Sequence, residues 1–185
     1  MPIIANAVKR DDMLLTSIRN PDELDPSVWL INPDFSAVED IPKYYWKIAN
    51  EQLVEMSDAE KTVVDTTQRA ESLMIKIEAI DSKTQAIIED GFTYSSMVFS
   101  LSQPAQATWT LLKLAQLSGT LTFPIEVATI DDQIYEIQDV TEFTAFTTAL
   151  DTTVVIALAT GRAIKAQVKA LTHSDEIDAF VDPRN

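Results

Sequence analysis

Few side chains in this sequence could carry out chemistry. Its 185 residues include one histidine, His173, and no cysteine, which excludes thiolate nucleophiles, iron–sulfur clusters and cysteine-ligated zinc. Ser174 and Asp175 follow the histidine directly, but neighbours in one turn point apart and cannot converge as the members of a catalytic triad do. One imidazole is also fewer than catalytic zinc sites use. We therefore expect His173 in a helix-capping segment, with Thr172 or Ser174 as the cap.

Carboxylates are the other candidates. The chain has 29 acidic residues, so a pair for glycoside hydrolysis is not excluded by their number, and a glycan-acting enzyme remains a remote alternative. A candidate group for a divalent cation is Asp131, Asp132, Glu136 and Asp139, but it lacks the spacing and the glycine of a calcium loop. We expect a solvated hairpin tip there. The three glycines are isolated, unlike those of phosphate-binding loops. The sequence thus predicts a protein without catalytic residues, metal or cofactor.

The aromatic run Lys43-Tyr44-Tyr45-Trp46-Lys47 raises the question of a stacking surface for nucleic acid or sugar. The formal net charge is −15, and such a chain repels phosphates, so nucleic acid is not expected as a partner. Side chains alternate along a strand, which would place Tyr44 and Trp46 on one face and Tyr45 on the other. We expect Trp46, together with Trp29, to pack in a small core with the tyrosines at its rim. Sugar stacking is the alternative.

The positions of proline, glycine and apolar residues divide the chain into four segments. Five of the eight prolines lie within the first 42 residues, so residues 1–28 should form an extended anchoring arm with short strands and turns. Residues 29–56 should form a small β region with a hairpin of YYWKI and QLVEM. Residues 57–90 contain no proline or glycine and predict one long helix. Residues 91–185 predict an α+β domain.

Two hairpins and two main helices are expected within residues 91–185. The hairpins turn at SSM and at Asp131-Asp132. A helix follows Ser102 or Gln103 and ends before Gly119. A long amphipathic helix runs from about residue 141 to about residue 171, with Gly161 as a candidate bend, and a last helical turn follows. Because strands and helices do not alternate strictly, the fold class is α+β rather than a doubly wound sheet.

The long central helix has a recognisable start and a repeat. In MSDAEK, Ser57 and Glu60 have the spacing of a capping box. Apolar residues then recur at heptad spacing over about four heptads, which predicts a coiled coil. Its oligomerisation seam comprises Val63, Ala70, Leu73, Ile77, Ile80 and Ile87. β-Branched residues at both core positions favour a trimer slightly over a dimer. The alternative is a single helix that packs this stripe on its own domain.

Two stretches resemble structural proteins of tailed bacteriophages. WLINPDFSAVEDIPKYYWKIANEQLVEMSDAEKTVVD (residues 29–65) is similar to a phage segment of the form W-L-I-N-P-D, P-x-Y-Y-W-K and E-M-S-x-x-E-K. IDSKTQAIIEDGFTYSSMVFSLSQPAQATW (residues 80–109), with the later FTAF and GRAIKAQV, resembles a phage module of unknown function. The resemblance covers residues 29 to about 168 and implies a component attached to the virion, with no catalytic residue carried over.

Composition and resemblance together lead to one functional hypothesis. We expect a non-enzymatic bacteriophage virion structural protein, in a fibre, the tail or the head–tail region. It would form a homo-oligomer through its central helix and dock on other virion proteins by residues 1–28. The C-terminal domain would face outward, where the host surface is a further candidate partner. The alternative is a tail-fibre assembly chaperone that is left out of the particle.

The expected location follows from the same observations. No segment resembles a signal peptide. The longest apolar run, Val154–Ala159, is too short to cross a bilayer, so membrane insertion is not expected. The protein would be made in the host cytoplasm and then incorporated into the virion.

Overall fold

The computed structural model of the chain describes residues 5–184 and has the expected α+β architecture. Short strands pair in small antiparallel sheets, which long helices follow. The backbone divides into two compact units, Met1–Ala70 and Glu71–Asn185. Their boundary lies inside the long helix α1 (Asp58–Glu89), which is the helix predicted from the capping box and the heptads.

The N-terminal unit contains two small sheets. Strand β1 (Ala5–Lys9) lies between β2 (Leu15–Ile18) and β3 (Trp29–Ile31) and is antiparallel to both. β4 (Trp46–Ala49) and β5 (Gln52–Glu55) form the predicted hairpin. Both of its turn residues have positive φ angles, because the twist of a two-residue hairpin requires the left-handed region.

The core of the N-terminal unit draws residues from both sheets. Its buried members are Val8, Leu30, Val38, Trp46 and Leu53. The short strands and turns expected for residues 5–28 are present, but β1 pairs with β3 and buries Val8 completely. The strand pairing therefore crosses the boundary that the sequence suggested at residue 28, and residues 5–28 belong to the folded unit. The first four residues of the predicted arm lie outside the described residues.

Two hairpins form the β structure of the C-terminal unit. β6 (Phe92–Tyr94) pairs with β7 (Met97–Phe99), and β8 (Ile125–Ala128) pairs with β9 (Ile134–Ile137). Both hairpins lie where the sequence predicts them. Gly91, between α1 and β6, has a φ of +91° and sits where a Cβ would collide with the Phe99 carbonyl oxygen, so only glycine fits this helix end.

Three further helices complete this unit. α2 (Gln103–Leu117) ends just before Gly119, as expected. α3 (Val140–Ala170) follows Asp139, whose carboxylate accepts hydrogen bonds from two backbone amides of the first turn at 2.8 and 2.9 Å. α4 (Ser174–Ala179) is the predicted last helical turn. Local capping chemistry thus explains the bounds of these helices.

The larger core of the C-terminal unit is rich in aromatic side chains. Phe146 of α3 packs edge-to-face on Phe92 and Phe99 of the first hairpin, with ring centroids 5.0 and 4.9 Å away. Trp109 of α2 lies 5.0 Å from the same ring. Such pairs add to the free energy gained from burial alone. A smaller cluster joins α1, α3 and α4 and consists of Ile80, Ile164, Val168 and Ile177.

Helix α3 continues through Gly161. A Cβ at this position would lie 2.5 Å from Thr84 Oγ1 of α1, closer than non-bonded atoms approach. The close approach of α1 and α3 therefore accounts for the glycine, and the bend suggested by the sequence is not needed to explain it.

Length and composition alone would let α3 span a membrane, and no other helix among residues 5–184 passes that test. The longest apolar run is short, but threonine and alanine on either side keep a longer stretch nearly free of charge. Eight residues of α3 are buried, among them Phe143, Phe146 and Ile164. Burial within the C-terminal unit therefore explains why the inner face of α3 is apolar.

Candidate self-association surface on helix α1

Helix α1 begins at the predicted capping box. The Ser57 amide and hydroxyl donate to Glu60 Oε2 at 2.8 and 2.7 Å, and the Glu60 amide lies 3.4 Å from Ser57 Oγ. Lys47 of β4 pairs with the same carboxylate oxygen at 2.5 Å. Mainly the Lys47 ammonium, and then Ser57, lower the pKa of Glu60 from its ordinary value of 4.5 to about 2. The first turn of α1 is thereby tied to the hairpin before it.

The N-terminal part of the predicted seam is open to solvent. Val63 is 65% exposed, and Ala70 is exposed as well. Met74, which the heptad places beside the seam, is 64% exposed. At about 100° per residue, these three side chains lie within about 40° of one another around the helix axis. We call Val63, Ala70 and Met74 the open stripe, because all three are exposed.

The C-terminal part of the predicted seam is covered by the chain itself. Ile80 is 1% exposed and packs with apolar residues of α3 and α4, and Leu73 packs against the same cluster. Ile87 packs against the larger core, and Ile77 is half-buried. This part of the predicted seam agrees with the alternative given for the sequence, in which a single helix packs its apolar face on its own domain. A partner helix is therefore a prediction for the open stripe only.

The aromatic run before α1 is a turn followed by a strand. Lys43–Tyr45 form one 3-10 turn and the strand begins at Trp46, so the alternation expected for Tyr44 and Tyr45 is wrong. Trp46 is 6% exposed, and its indole N–H donates to a backbone carbonyl at 2.8 Å. Tyr44 is half-exposed, and the Tyr45 hydroxyl donates to Asp65 of α1 at 2.5 Å. Tyr45 thus joins the foot of α1, and Trp46 packs in the small core.

Trp29 was the other predicted member of the small core, and its position differs from that prediction. It is only half-buried and is not part of the buried cluster, whereas its neighbour Leu30 is 6% exposed and belongs to it. Successive side chains of a strand point to opposite sides. The register of β3 therefore turns the smaller leucine inward, although composition favours the larger tryptophan as a core residue.

A groove of 630 Å³ lies on the N-terminal unit at the start of β2. Its apolar lining consists of Met13, Leu14, Leu15, Tyr44, Trp46 and Met56. The charged residues at its rim are largely paired within the unit, since Lys47 binds Glu60 and both Asp11 and Asp12 bind Lys9. The groove is therefore suited to apolar contact rather than to acid–base chemistry.

His173 lies at the N-cap of α4, the position that the sequence assigned to Thr172 or Ser174. Its backbone amide and that of Thr172 each lie 3.3 Å from Glu176 Oε2 and donate to it. These two amides lower the pKa of Glu176. The segment is a helix cap, as predicted, but the histidine itself takes the cap position.

The acidic group of the second hairpin is dispersed by the fold. Asp131 and Asp132 lie in the exposed turn, where the predicted hairpin tip is confirmed. Glu136 accepts a hydrogen bond from the Gln138 side chain at 2.8 Å, and Asp139 caps α3 instead. Across residues 5–184, no group of three or more histidine, aspartate or glutamate side chains is arranged to hold a metal ion.

A second apolar stripe lies on α2. Leu111, Leu114 and Leu117 are 67%, 57% and 78% exposed. The one charged residue of this helix, Lys113, pairs with Asp151 of α3 at 2.5 Å. The outer face of α2 thus presents apolar side chains beside a charge that is already neutralised.

Compared with known proteins, the chain matches no family model, no curated protein and no solved structure. The heptad pattern does not identify Met74 as a residue of the self-association surface, because the position of Met74 flanks the predicted seam. It also does not predict what Lys76 and Lys83 bind, because their partners lie about 100 residues later in the chain. A pattern that follows one helix contains no signal for such contacts.

Proposed function

We propose that this protein is a non-enzymatic structural component of a tailed-bacteriophage virion and that it forms a homo-oligomer through α1. The observation that carries the proposal is the open stripe, in which two large apolar side chains, Val63 and Met74, are exposed on a helix of 32 residues. Apolar side chains that align along one helix and remain uncovered are typical of an interaction surface. The resemblance to phage structural chains supports the particle as the setting of this interaction.

The negative charge of the chain limits where two copies can make contact. With a net charge of −15, most of the surface repels a second copy. The open stripe itself carries no charged side chain, so it can be covered without burying an unpaired charge. The preference for a trimer is weaker than the full heptad suggests, because Ile80 is used within the chain. Both a trimer and a dimer are therefore compatible with the proposal.

We assign the contact with other virion proteins to the N-terminal unit. Residues 5–28 are folded into its sheet, so a folded surface rather than a loose arm would make this contact. The groove at the start of β2 is the candidate, because Leu14 is 55% exposed beside it and most of its rim charges are paired. The exposed leucines of α2 are left for further partners in the particle or at the host surface.

Light scattering coupled to size-exclusion chromatography tests the oligomer. We expect the native chain to elute as a defined oligomer at micromolar concentration and Val63→Asp to elute as a folded monomer, because the new charge is placed in the contact. Leu111→Asp is the matched control, since Leu111 is equally exposed but lies on α2. A native chain that stays monomeric, or an oligomer that survives Val63→Asp, contradicts self-association through α1.

Mass spectrometry of purified virions tests the setting. A structural component should be present in stoichiometric amounts relative to other tail or fibre proteins. An assembly chaperone should be missing or far below stoichiometric amounts. Absence from the particle would therefore replace the virion proposal with the chaperone alternative.

A further inference from the structure

The last described part of the chain, residues 173–184, packs against the C-terminal part of α1, and we call this segment the clasp. It consists of α4 and the extended residues that follow, and it is joined to α3 by the non-helical Leu171 and Thr172. Ile177 of the clasp is completely buried in the cluster that contains Ile80, and Phe180 packs against that cluster. The clasp thus provides part of the apolar cover of the predicted seam.

Two lysines of α1 hold the backbone of the clasp. Lys76 Nζ donates to the carbonyl oxygens of Asp178 and Phe180 at 3.0 and 2.9 Å. Lys83 Nζ donates to the carbonyl oxygen of Arg184. In the heptad these lysines occupy the g positions, which in a coiled coil form ion pairs with a second helix. Here the clasp takes the place of that second helix.

An arginine fixes the far end of the clasp. The Arg184 guanidinium donates to Thr84 Oγ1 at 2.7 Å and to the Ile80 carbonyl oxygen at 3.0 Å, and it pairs with Asp182 at 2.5 Å. The Arg184 and Asp182 side chains are only 9% and 15% exposed. A guanidinium that is nearly buried needs this many partners to offset its lost hydration, so the contact is specific.

The clasp lies outside the larger core of the C-terminal unit, since none of its residues belongs to that core. Its release would leave that core intact and would remove the part of the cover that Ile177 and Phe180 give to Leu73 and Ile80, while α3 stays in place. Leu73 and Ile80 belong to the same predicted seam as Val63 and Ala70 and lie nearer the C-terminal end of α1.

We propose that the clasp regulates self-association and that the α1 face beneath it is a binding surface for a second copy of α1. This inference rests on the proposed function. While the clasp is closed, contact between copies is restricted to the open stripe. Once it is released, Leu73 and Ile80 extend the contact along α1.

Charge complementarity identifies a second copy as the partner. Lys76 at g is followed five residues later by Asp81 at e, and two such helices place each lysine against the aspartate of the other. Asp81 now pairs with Lys165 of α3 at 2.6 Å, and its side chain is 55% exposed. Release of the clasp would free Lys76 from its two carbonyl partners, and Asp81 is already accessible to a second copy.

A chain that ends at Thr172 tests the proposal by sedimentation equilibrium. We expect its self-association to be about tenfold tighter than that of the full chain, or of higher order, with unchanged helical circular dichroism apart from the loss of α4. A synthetic peptide of residues 173–185 added in trans should return it to the behaviour of the full chain. Unchanged association, ill-defined aggregates, or no effect of the peptide would each overturn the proposal.

A point variant repeats the test in the full chain. Arg184→Met removes the hydrogen bonds that hold the clasp to Thr84 and to the Ile80 carbonyl, and it should also tighten self-association, whereas Arg10→Met should not. Arg10 lies in the N-terminal unit and pairs with Glu51, so the two variants lose the same charge and gain the same side chain. Equal behaviour of the two variants argues against the clasp. If Val63→Asp dissociates the native oligomer while Arg184→Met and truncation change nothing, self-association stands and the clasp inference fails.

Discussion

The two halves of helix α1 share one heptad register but lie in different environments. Val63, at an a position, is 65% exposed, and Ile80, at a d position 17 residues later, is 1% exposed. The first half is held at its foot by polar contacts, whereas the second half packs on α3 and on the clasp. A heptad therefore shows that a helix has an apolar face to cover, but it does not show whether the cover comes from the same chain.

The contacts of the two halves also differ in kind. Lys47–Glu60 and Lys61–Glu55 bridge partly exposed side chains, and such pairs contribute little to stability because water competes for both charges. Around Ile80, by contrast, four aliphatic side chains are almost entirely removed from water. Burial of this kind contributes roughly 1.5–3 kcal/mol for each large side chain. We therefore expect the second half to dominate the stability of the helix.

The largest effect that would distinguish the two halves is expected from truncating their apolar side chains. Ile80→Ala should lower the free energy of unfolding by about 3 kcal/mol, because it leaves a cavity in a closed cluster. Val63→Ala should change it by less than about 0.5 kcal/mol under conditions where the chain is monomeric, because the side chain is already in water. Urea denaturation followed by circular dichroism measures both values. Similar losses for both variants would show that the two halves do not differ in this way.

A smaller effect is expected where α1 and α3 approach most closely. Alanine normally stabilises a helix relative to glycine by about 1 kcal/mol, but the new Cβ of Gly161→Ala would meet Thr84 Oγ1 at 2.5 Å. The Thr84 hydroxyl cannot move freely, since it is bonded to the Ile80 carbonyl and to Arg184. We expect Gly161→Ala to destabilise the chain by about 2 kcal/mol.

The double variant Gly161→Ala with Thr84→Ala is the control for this prediction. Removing the hydroxyl makes room for the new methyl group, so the double variant should be more stable than the sum of the two single changes predicts. Thermal denaturation of the four proteins measures this coupling. Additive effects would mean that the contact between the two positions is not responsible.

The smallest expected effect concerns the foot of α1. The pKa of Glu60 is about 2 in the folded chain and 4.5 ordinarily, so the folded state holds this carboxylate in its ionised form. Its stabilising contribution is complete above pH 4.5 and is lost as the pH falls from 4.5 toward 2. The difference in melting temperature between the native chain and Glu60→Gln should therefore be present at pH 6 and shrink across this window. A difference that stays constant down to pH 2 would contradict the role of the carboxylate.

Local signals were sufficient to predict most of the secondary structure. Each of these signals acts over only a few residues of the chain. Examples are the capping box of Ser57 and Glu60, Gly119 after α2, and the turn at Asp131-Asp132. The structure bears out each of these predictions. The aromatic run is the exception, because a 3-10 turn at Lys43–Tyr45 replaced the first part of the expected strand.

Contacts between distant segments could not be predicted in the same way. The pairing of β1 with β3 brought residues 5–28 into the N-terminal unit, and the register of β3 turned Leu30 rather than Trp29 inward. Both outcomes depend on which strands meet, since a shift of one residue reverses the side that each side chain faces.

For α1 itself, the sequence determined its length, its cap and its apolar face. Those properties follow from capping groups and from the 3.6-residue period, which are fixed within a single helix. Only the tertiary structure decided that Ile80 is covered by the same chain and Val63 is not. That choice depends on the close approach of Gly161 to Thr84 and on the clasp bound by Lys76, whose partners on α3 and in the clasp lie far along the chain.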